Sequence, residues 1–256
     1  MYDNICKFLA EQFSRDFASW LVGEPLEFTQ LSPKELSLEP IRADSLILLQ
    51  SDPLILHLEF QTEPNREIPF RMADYRLRVY RRFPEKSMRQ VVIYLRETTS
   101  ELVYENRFTL AKTYHEFEVI RLWEEPTEPF LNAPGLWPLA ALTGRENPTE
   151  VLTQVAQRLE GMENRTQQAN ITAASAILAG LVLNQQLIQR ILRRDIMRES
   201  SMYQEILAEG RQEGRQEGIE EVALNLVRSG MSLEQIAGVT GLSVQRVREL
   251  SEEHSE

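Results

Sequence analysis

The chain has 256 residues, 42% of them hydrophobic and 26% charged, and its formal net charge at pH 7 is −11. This length allows one full domain and a smaller second one, with the composition of an ordinary globular protein. The negative charge argues against a protein that wraps nucleic acid over its whole surface, and the single Cys6 excludes an internal disulfide and fits a reducing cytosol.

The first predicted elements are a helix and a hairpin. Residues 3–22 place apolar side chains on one helical stripe, which Gly23 and Pro25 end. Two strand-like runs follow, DSLILLQ at 44–50 and LILHLEFQ at 54–61, and the sequence Ser-Asp-Pro separates them. This spacing predicts a β-hairpin.

A helix and two more strands complete the predicted first domain. Residues 70–83 have helical periodicity, whereas QVVIYLR at 90–96 and EFEVIRLW at 116–123 are strand-like. The order α-β-β-α-β-β predicts an α/β domain over residues 1–125, a mixed sheet flanked by helices.

The rest of the chain is predicted to be helical. The segment 124–138 contains four prolines and is predicted to be a loop. Helix formers then dominate 149–160, 165–183 and 185–209, so that 126–205 reads as a helical extension. The longest apolar stretch, 171–183, is too short to span a bilayer, and no signal peptide is recognisable. We therefore expect a cytoplasmic protein that makes no membrane contact.

The tail, residues 206–256, contains a repeat and a possible recognition motif. The run EGRQEGRQEG at 209–218 is either a helix whose glycine face lets another helix approach or a flexible charged linker. Beyond it, Ser232 and Gln235 match a capping box, and the spacing of helices and turn residues resembles a helix-turn-helix. Residues 219–256 carry a net charge of −4, which favours a packing or dimerisation bundle over DNA binding. The C-terminal helices are thus candidates for homo-oligomer formation.

The basic residues are concentrated in one segment. Residues 66–96 contain nine basic and three acidic side chains, a net charge of +6. A positive band in an acidic protein is what a polyanion site requires, and a solvated helix face is the alternative.

The hairpin carries the candidate chemistry. Alternation along a strand places His57, Glu59 and Gln61 on one face. A carboxylate such as Glu59 in a strongly apolar strand is costly unless it is paired, and a divalent metal would pair it. Asp44 opens the preceding strand and can come opposite Glu59. We expect His57 to be a polar residue near the strand end.

These residues resemble a nuclease signature. Asp44, fourteen intervening residues and Glu59-Phe60-Gln61 are similar to the Asp…(Asp/Glu)-x-Lys signature of the PD-(D/E)xK nuclease superfamily. The chain more closely resembles the recombination-promoting nuclease and transposase family (Rpn), through Arg42-Ala43-Asp44, the run HLEFQTE at 57–63, PFRMADY at 69–75 and the Glu-Gly repeat. The resemblance implies a restriction-endonuclease-like core, a Mg²⁺ requirement, DNA cleavage, and Asp44 and Glu59 as metal ligands.

This sequence departs from the superfamily at Gln61, where lysine is usual. Glutamine can orient water or a phosphate oxygen but brings no positive charge. Either the chemistry is slower, or an arginine of the basic helix, Arg71 or Arg78, substitutes. With Tyr75 and Arg82, these two arginines form the predicted DNA-binding set.

The leading hypothesis is a Mg²⁺-dependent DNA endonuclease associated with recombination or mobile elements, with Asp44, Glu59 and Gln61 as catalytic residues. Two alternatives stay open. One is a catalytically weak DNA-binding or regulatory protein that retains the fold, which Gln61 and the overall acidity favour. The other is an interaction protein that assembles oligomers through its C-terminal helices.

Overall fold

The computed structural model describes residues 2–26, 28–30, 47–51, 53–144 and 147–253. The chain divides into two compact units, Met1–Ser200 and Ser201–Glu256. The helices that we assigned to an extension at 126–205 therefore share a unit with the sheet as far as Ser200.

The first unit contains a mixed sheet. Its strands in the described residues are β1 (Thr29–Gln30), β2 (Ile47–Gln50), β3 (Leu54–Gln61), β4 (Ser87–Tyr94) and, beyond a small hairpin, β7 (Glu118–Arg121). The spatial order is β1-β2-β3-β4-β7. β2 and β3 pair antiparallel, which confirms the predicted hairpin, whereas β3, β4 and β7 run parallel. The fold class is thus α/β, as predicted from the alternation of elements.

Helices cover both faces of this sheet. Helix α3 (Ile68–Arg82) packs Tyr75 and Val79 against Ile55 of β3, so it lies over the face that also carries His57, Glu59 and Gln61. On the opposite face, Phe60 meets Phe17 edge to face, with ring centroids 6.3 Å apart. Both faces of β3 are therefore buried, which explains its nearly continuous apolar sequence.

The N-terminal helix was predicted as one element and is two. Helix α1 (Tyr2–Gln12) and helix α2 (Ser14–Val22) are separated at Phe13, whose φ of −122° and ψ of 41° are not helical. Gly23 ends α2 with a φ of 84°, a left-handed conformation that glycine adopts without a steric penalty. The predicted end of the helix is confirmed, but the interruption is not visible in the apolar stripe.

The proline-rich segment was predicted as a loop, and this prediction is wrong. It contains helices α4 (Thr127–Leu131) and α5 (Trp137–Ala140), with 3-10 turns at Leu122–Glu124 and Pro134–Leu136. Two of its prolines, Pro134 and Pro138, lie at the first positions of helical turns, where the missing N–H costs nothing. Prolines here begin helices instead of preventing them.

Two further elements were not predicted between β4 and β7. A 3-10 turn spans Glu101–Tyr104, and strands β5 (Arg107–Leu110) and β6 (Thr113–Glu116) form a separate antiparallel hairpin. Phe108 of this hairpin packs edge-on against Phe70 of α3, with ring centroids 5.7 Å apart. The hairpin is thereby fixed to the helix above the candidate site.

Three helices of the first unit begin at asparagines. Asn147, Asn164 and Asn184 each accept a backbone N–H from the following first turn, and so begin α6 (Pro148–Glu160), α7 (Arg165–Ala179) and α8 (Gln185–Ile191). The single helix predicted over 185–209 is wrong, because α8 is followed by a separate α9 (Arg194–Met197) and a new helix begins at Ser201. No helix in the described part of the chain is both long and apolar enough to cross a membrane.

The second unit consists of three helices, α10 (Ser201–Arg228), α11 (Leu233–Thr240) and α12 (Val244–Glu253). The Glu-Gly repeat lies inside α10, so it is helical and not a linker. The capping box of Ser232 and Gln235 is present, as predicted. The core of the unit is formed by Ala223, Ile236, Val247 and Leu250.

Candidate functional site

The candidate site lies where the parallel strands end. Ligands of open α/β sheets bind at the carboxyl ends of parallel strands. Here β3 ends at Gln61, which pairs with Tyr94, the last residue of β4. The first turn of α3 lies beside this edge, because its Arg71 contacts Glu59 of β3. We call the last residues of β3, together with this turn, the corner.

Glu59 is the central residue of this corner. It faces α3, pairs in register with Val92 of β4, and its side chain has no solvent exposure. A buried carboxylate costs several kcal/mol unless charged or donor groups surround it. No Lys or Arg lies next to Glu59 on β3, so a positively charged partner must come from another element.

Two donors converge on one oxygen of Glu59. Gln61 Nε2 donates to Oε1 at 2.9 Å, and the guanidinium of Arg71 forms a close ion pair with the same oxygen. Arg71 belongs to the first turn of α3, and its side chain is 26% exposed. Of the two arginines predicted to replace the missing lysine, Arg71 is thus the one beside Glu59. Arg78 instead pairs with Asp74 on its own helix, at 2.8 Å.

His57 occupies a different position from the one we predicted. It lies in the middle of β3 with no solvent exposure, not at a polar strand end. Its ring meets Tyr75 of α3 edge to face, and its Nδ1 lies 3.0 Å from Nε2 of Gln90. The prediction failed because Gln90 is 33 residues away, and no local pattern shows that it supplies a partner.

A further acid near the site was missed. Asp3 begins helix α1, and burial raises the pKa of its carboxyl, an effect to which the nearby negative charge of Glu59 adds. Arg71 acts in the opposite direction. The only sequence signal is an acidic residue in the first turn of an amphipathic helix, which most helices share. Asp3 is therefore a second carboxyl close enough to Glu59 and Arg71 to interact with both electrostatically.

The predicted metal site is only half represented. Asp44 lies outside the described residues, so its position relative to Glu59 is not part of the structure. Within the described ranges, no group of three or more His, Cys, Asp or Glu side chains is arranged to hold a metal ion. Glu59 Oε2 is a buried oxygen without a hydrogen-bond partner among these residues, and Nε2 of His57 lies 3.8 Å from it.

The predicted DNA-binding residues differ in accessibility. Arg71 faces Glu59, and Tyr75 is only 6% exposed and belongs to the buried side of α3. Arg82 is exposed, with its guanidinium 5.8 Å from the ring centre of Phe83. Arg66 and Arg81 of the basic band are exposed as well. The accessible positive charge of the band thus includes Arg66 before α3, Arg81 and Arg82 at its end, and Arg96 beyond β4.

In the second unit, Arg246 of α12 is paired with acidic side chains. Arg246 donates to both carboxylate oxygens of Glu220 on α10, at 3.2 Å each. It also lies 3.6 Å from Glu249. Two acids therefore surround this arginine, which accords with the acidic charge of the tail.

Comparisons with known proteins leave the resemblance untested. No family model matches the chain, and neither a curated protein nor a solved structure matches it. The assignment to the Rpn family and to the wider nuclease superfamily therefore stays a prediction from the motif residues.

Proposed function

We propose that this protein is a Mg²⁺-dependent DNA endonuclease. The observation that carries the proposal is the environment of Glu59, a fully buried carboxylate at the carboxyl edge of a mixed sheet, with an amide donor and a guanidinium on one of its oxygens. Its second oxygen, Oε2, is buried as well and lies 3.8 Å from Nε2 of His57. A restriction-endonuclease-like core is part of the same proposal, supported by the antiparallel hairpin β2-β3 next to parallel β4 and β7.

In this proposal each group has a defined role. Glu59 and Asp44 would hold the metal ion, which when bound supplies positive charge and an activated water. The amide of Gln61 donates a hydrogen bond near the phosphate or the attacking water. Arg71 contributes the positive charge that glutamine lacks, because its guanidinium already lies beside Glu59. A metal ion held by Glu59 would share this carboxylate with Arg71, whose guanidinium contacts Oε1.

The test is cleavage of supercoiled plasmid DNA with and without Mg²⁺. We expect Glu59→Gln and Asp44→Ala to abolish cleavage. The matched control is Glu118→Gln, because Glu118 is an exposed acid on β7 of the same sheet and is paired with Arg89 at 2.6 Å. Cleavage by Glu59→Gln at the rate of the control would refute the site assignment.

A second candidate is a DNA-binding protein with little or no cleavage activity. It is favoured by the pairing of Glu59 with Arg71, which neutralises the carboxylate without a metal, and by the lack of a three-acid group in the described residues. Retained DNA affinity in a chain that does not cleave with Mg²⁺ or Mn²⁺ would select it over the first.

In both candidates the basic band supplies DNA affinity. The exposed Arg66, Arg81 and Arg82 are among its accessible charges. Each phosphate contact contributes about 0.9 to the slope of log affinity against log salt, so replacing all three with serine should flatten the slope by about two to three units. The control is Arg246→Ser with Arg248→Ser in the tail, for which we expect a change below about one unit. A larger change in the control would make the tail the DNA-binding element.

A further inference from the structure

The side chain of Gln90 fixes a hydrogen-bond pattern in the buried layer beneath α3. Gln90 is 5% exposed, and its Nε2 has two neighbours, the carbonyl oxygen of Met72 at 2.8 Å and Nδ1 of His57 at 3.0 Å. A primary amide nitrogen carries two hydrogens and accepts none. Both hydrogens of Gln90 are therefore committed, one to each neighbour.

This pattern determines which nitrogen of His57 carries a proton. The carbonyl of Met72 can only accept, so it fixes the orientation of the Gln90 amide. Nδ1 of His57 must then also accept, because a proton on Nδ1 would point at an N–H group. A neutral imidazole with a bare Nδ1 carries its single proton on Nε2.

The protonated nitrogen faces Glu59. His57 Nε2 lies 3.8 Å from Glu59 Oε2, and neither atom has a hydrogen-bond partner among the described residues. This separation is roughly 0.8 Å longer than a usual N–H···O bond. A small rotation of either side chain would therefore join an orphan donor to an orphan acceptor.

We infer that His57 is a positioning residue that donates from Nε2 to Glu59 Oε2, and that it is not a metal ligand. The catalytic role of His57 rests on the proposed function, whereas the position of its proton is independent of it. The two oxygens of Glu59 then have different roles. Oε2 accepts from His57, whereas Oε1 faces Gln61, Arg71 and any cation that replaces Arg71. Hydrogen bonds to ligating carboxylates orient them in this way in metal sites.

The proton position is tested by long-range ¹H–¹⁵N correlation of the imidazole rings in the ¹⁵N-labelled full-length chain. The His57 signals are identified by their loss in His57→Gln, with His115 as the internal reference. We expect the chemical shift of a protonated nitrogen at Nε2 and of a bare nitrogen at Nδ1. In Gln90→Leu, which removes the donor, the preference should weaken. A proton on Nδ1 in the unmodified chain would overturn the inference, whether or not the protein cleaves DNA.

The positioning role is tested by two replacements of His57. The amide nitrogen of glutamine reaches about as far as Nε2 and keeps a donor there, whereas that of asparagine reaches only to the position of Nδ1. We expect His57→Gln to keep Mg²⁺-dependent cleavage and His57→Asn to lose about 10- to 100-fold, the scale of removing a partner of a ligand. Equal rates in the two variants would refute the role of the Nε2 donor. Failure of the unmodified chain to cleave would refute the proposed function instead, and the nitrogen shifts would still decide the proton position.

Discussion

Removing Arg71 should destabilise the fold far more than removing a similar arginine on the same helix. In Arg71→Met, the carboxylate of Glu59 would stay fully buried without its charged partner. Breaking a buried ion pair from one side costs about 3–5 kcal/mol. Because Arg71 is 26% exposed, we expect the lower end, about 3 kcal/mol of unfolding free energy. Arg78→Met breaks a partly exposed ion pair with Asp74, one turn away on the same helix, and should lower the unfolding free energy by about 0.3–0.5 kcal/mol.

The reverse change should be milder. In Glu59→Gln the charge is removed from the buried side, and the partly exposed guanidinium of Arg71 can turn toward water. The double variant Glu59→Gln, Arg71→Met should regain most of the stability lost in Arg71→Met, because no uncompensated charge remains. Arg71 also hydrogen-bonds Tyr75, and the double-mutant cycle separates that contribution from the pair with Glu59.

Urea unfolding of the unmodified chain and the four variants, followed by circular dichroism, gives these free energies. The reasoning would be refuted if Arg71→Met and Arg78→Met lost the same amount, or if the double variant were no more stable than Arg71→Met. Either result would mean that Glu59 does not depend on Arg71 to be buried as a charge.

Three further outcomes are expected. Gln61→Ala should slow cleavage by roughly 10²–10³, the loss of one positioned donor, whereas Gln61→Lys should match or exceed the unmodified rate; a lysine variant as slow as alanine would contradict the role of position 61. Cys6 should not react with a chromogenic thiol reagent in the native chain, because burial raises the pKa of its thiol well above the ordinary value; rapid modification without denaturant would contradict this. Gly135→Ala should lower the melting temperature, because its added Cβ would lie 2.2 Å from Cβ of Phe13, whereas Gly214→Ala, with open space around it, should not; equal melting temperatures would refute the steric argument.

The sequence predicted those parts of the fold that local signals control. The hairpin β2-β3 has a turn signal between two strand-like runs, and α11 has a capping box, so both could be predicted. Phe13 interrupts an apolar stripe that continues on both sides, and short-range periodicity does not register such a break. The prolines at 134 and 138 were read as loop residues because the same residue type also favours the first turn of a helix.

The sequence allowed the acidic residue of the candidate site to be predicted, but not the residues around it. Glu59 is conspicuous because a carboxylate interrupts an apolar strand, and Arg71 was one of two suggested substitutes for the lysine. The choice between Arg71 and Arg78 depends on the crossing of α3 over β3, which no local pattern gives. The burial of His57 depends in the same way on Gln90 of the adjacent strand, and the approach of Asp3 depends on the packing of α1.

The three glycines inside α10 also affect how that helix opens. Gly210, Gly214 and Gly218 are helical, and added Cβ atoms would meet no atom of the described residues within 4 Å, so no close contact among these residues offsets their helix-destabilising effect. Each costs about 0.8–1.0 kcal/mol relative to alanine, or roughly 2.5–3 kcal/mol together. The other end of the helix is held by Ala223 in the core of its unit. One continuous helix thus has a labile stretch and an anchored one, and backbone amides at 210–218 should exchange with solvent deuterium sooner than those at 220–228.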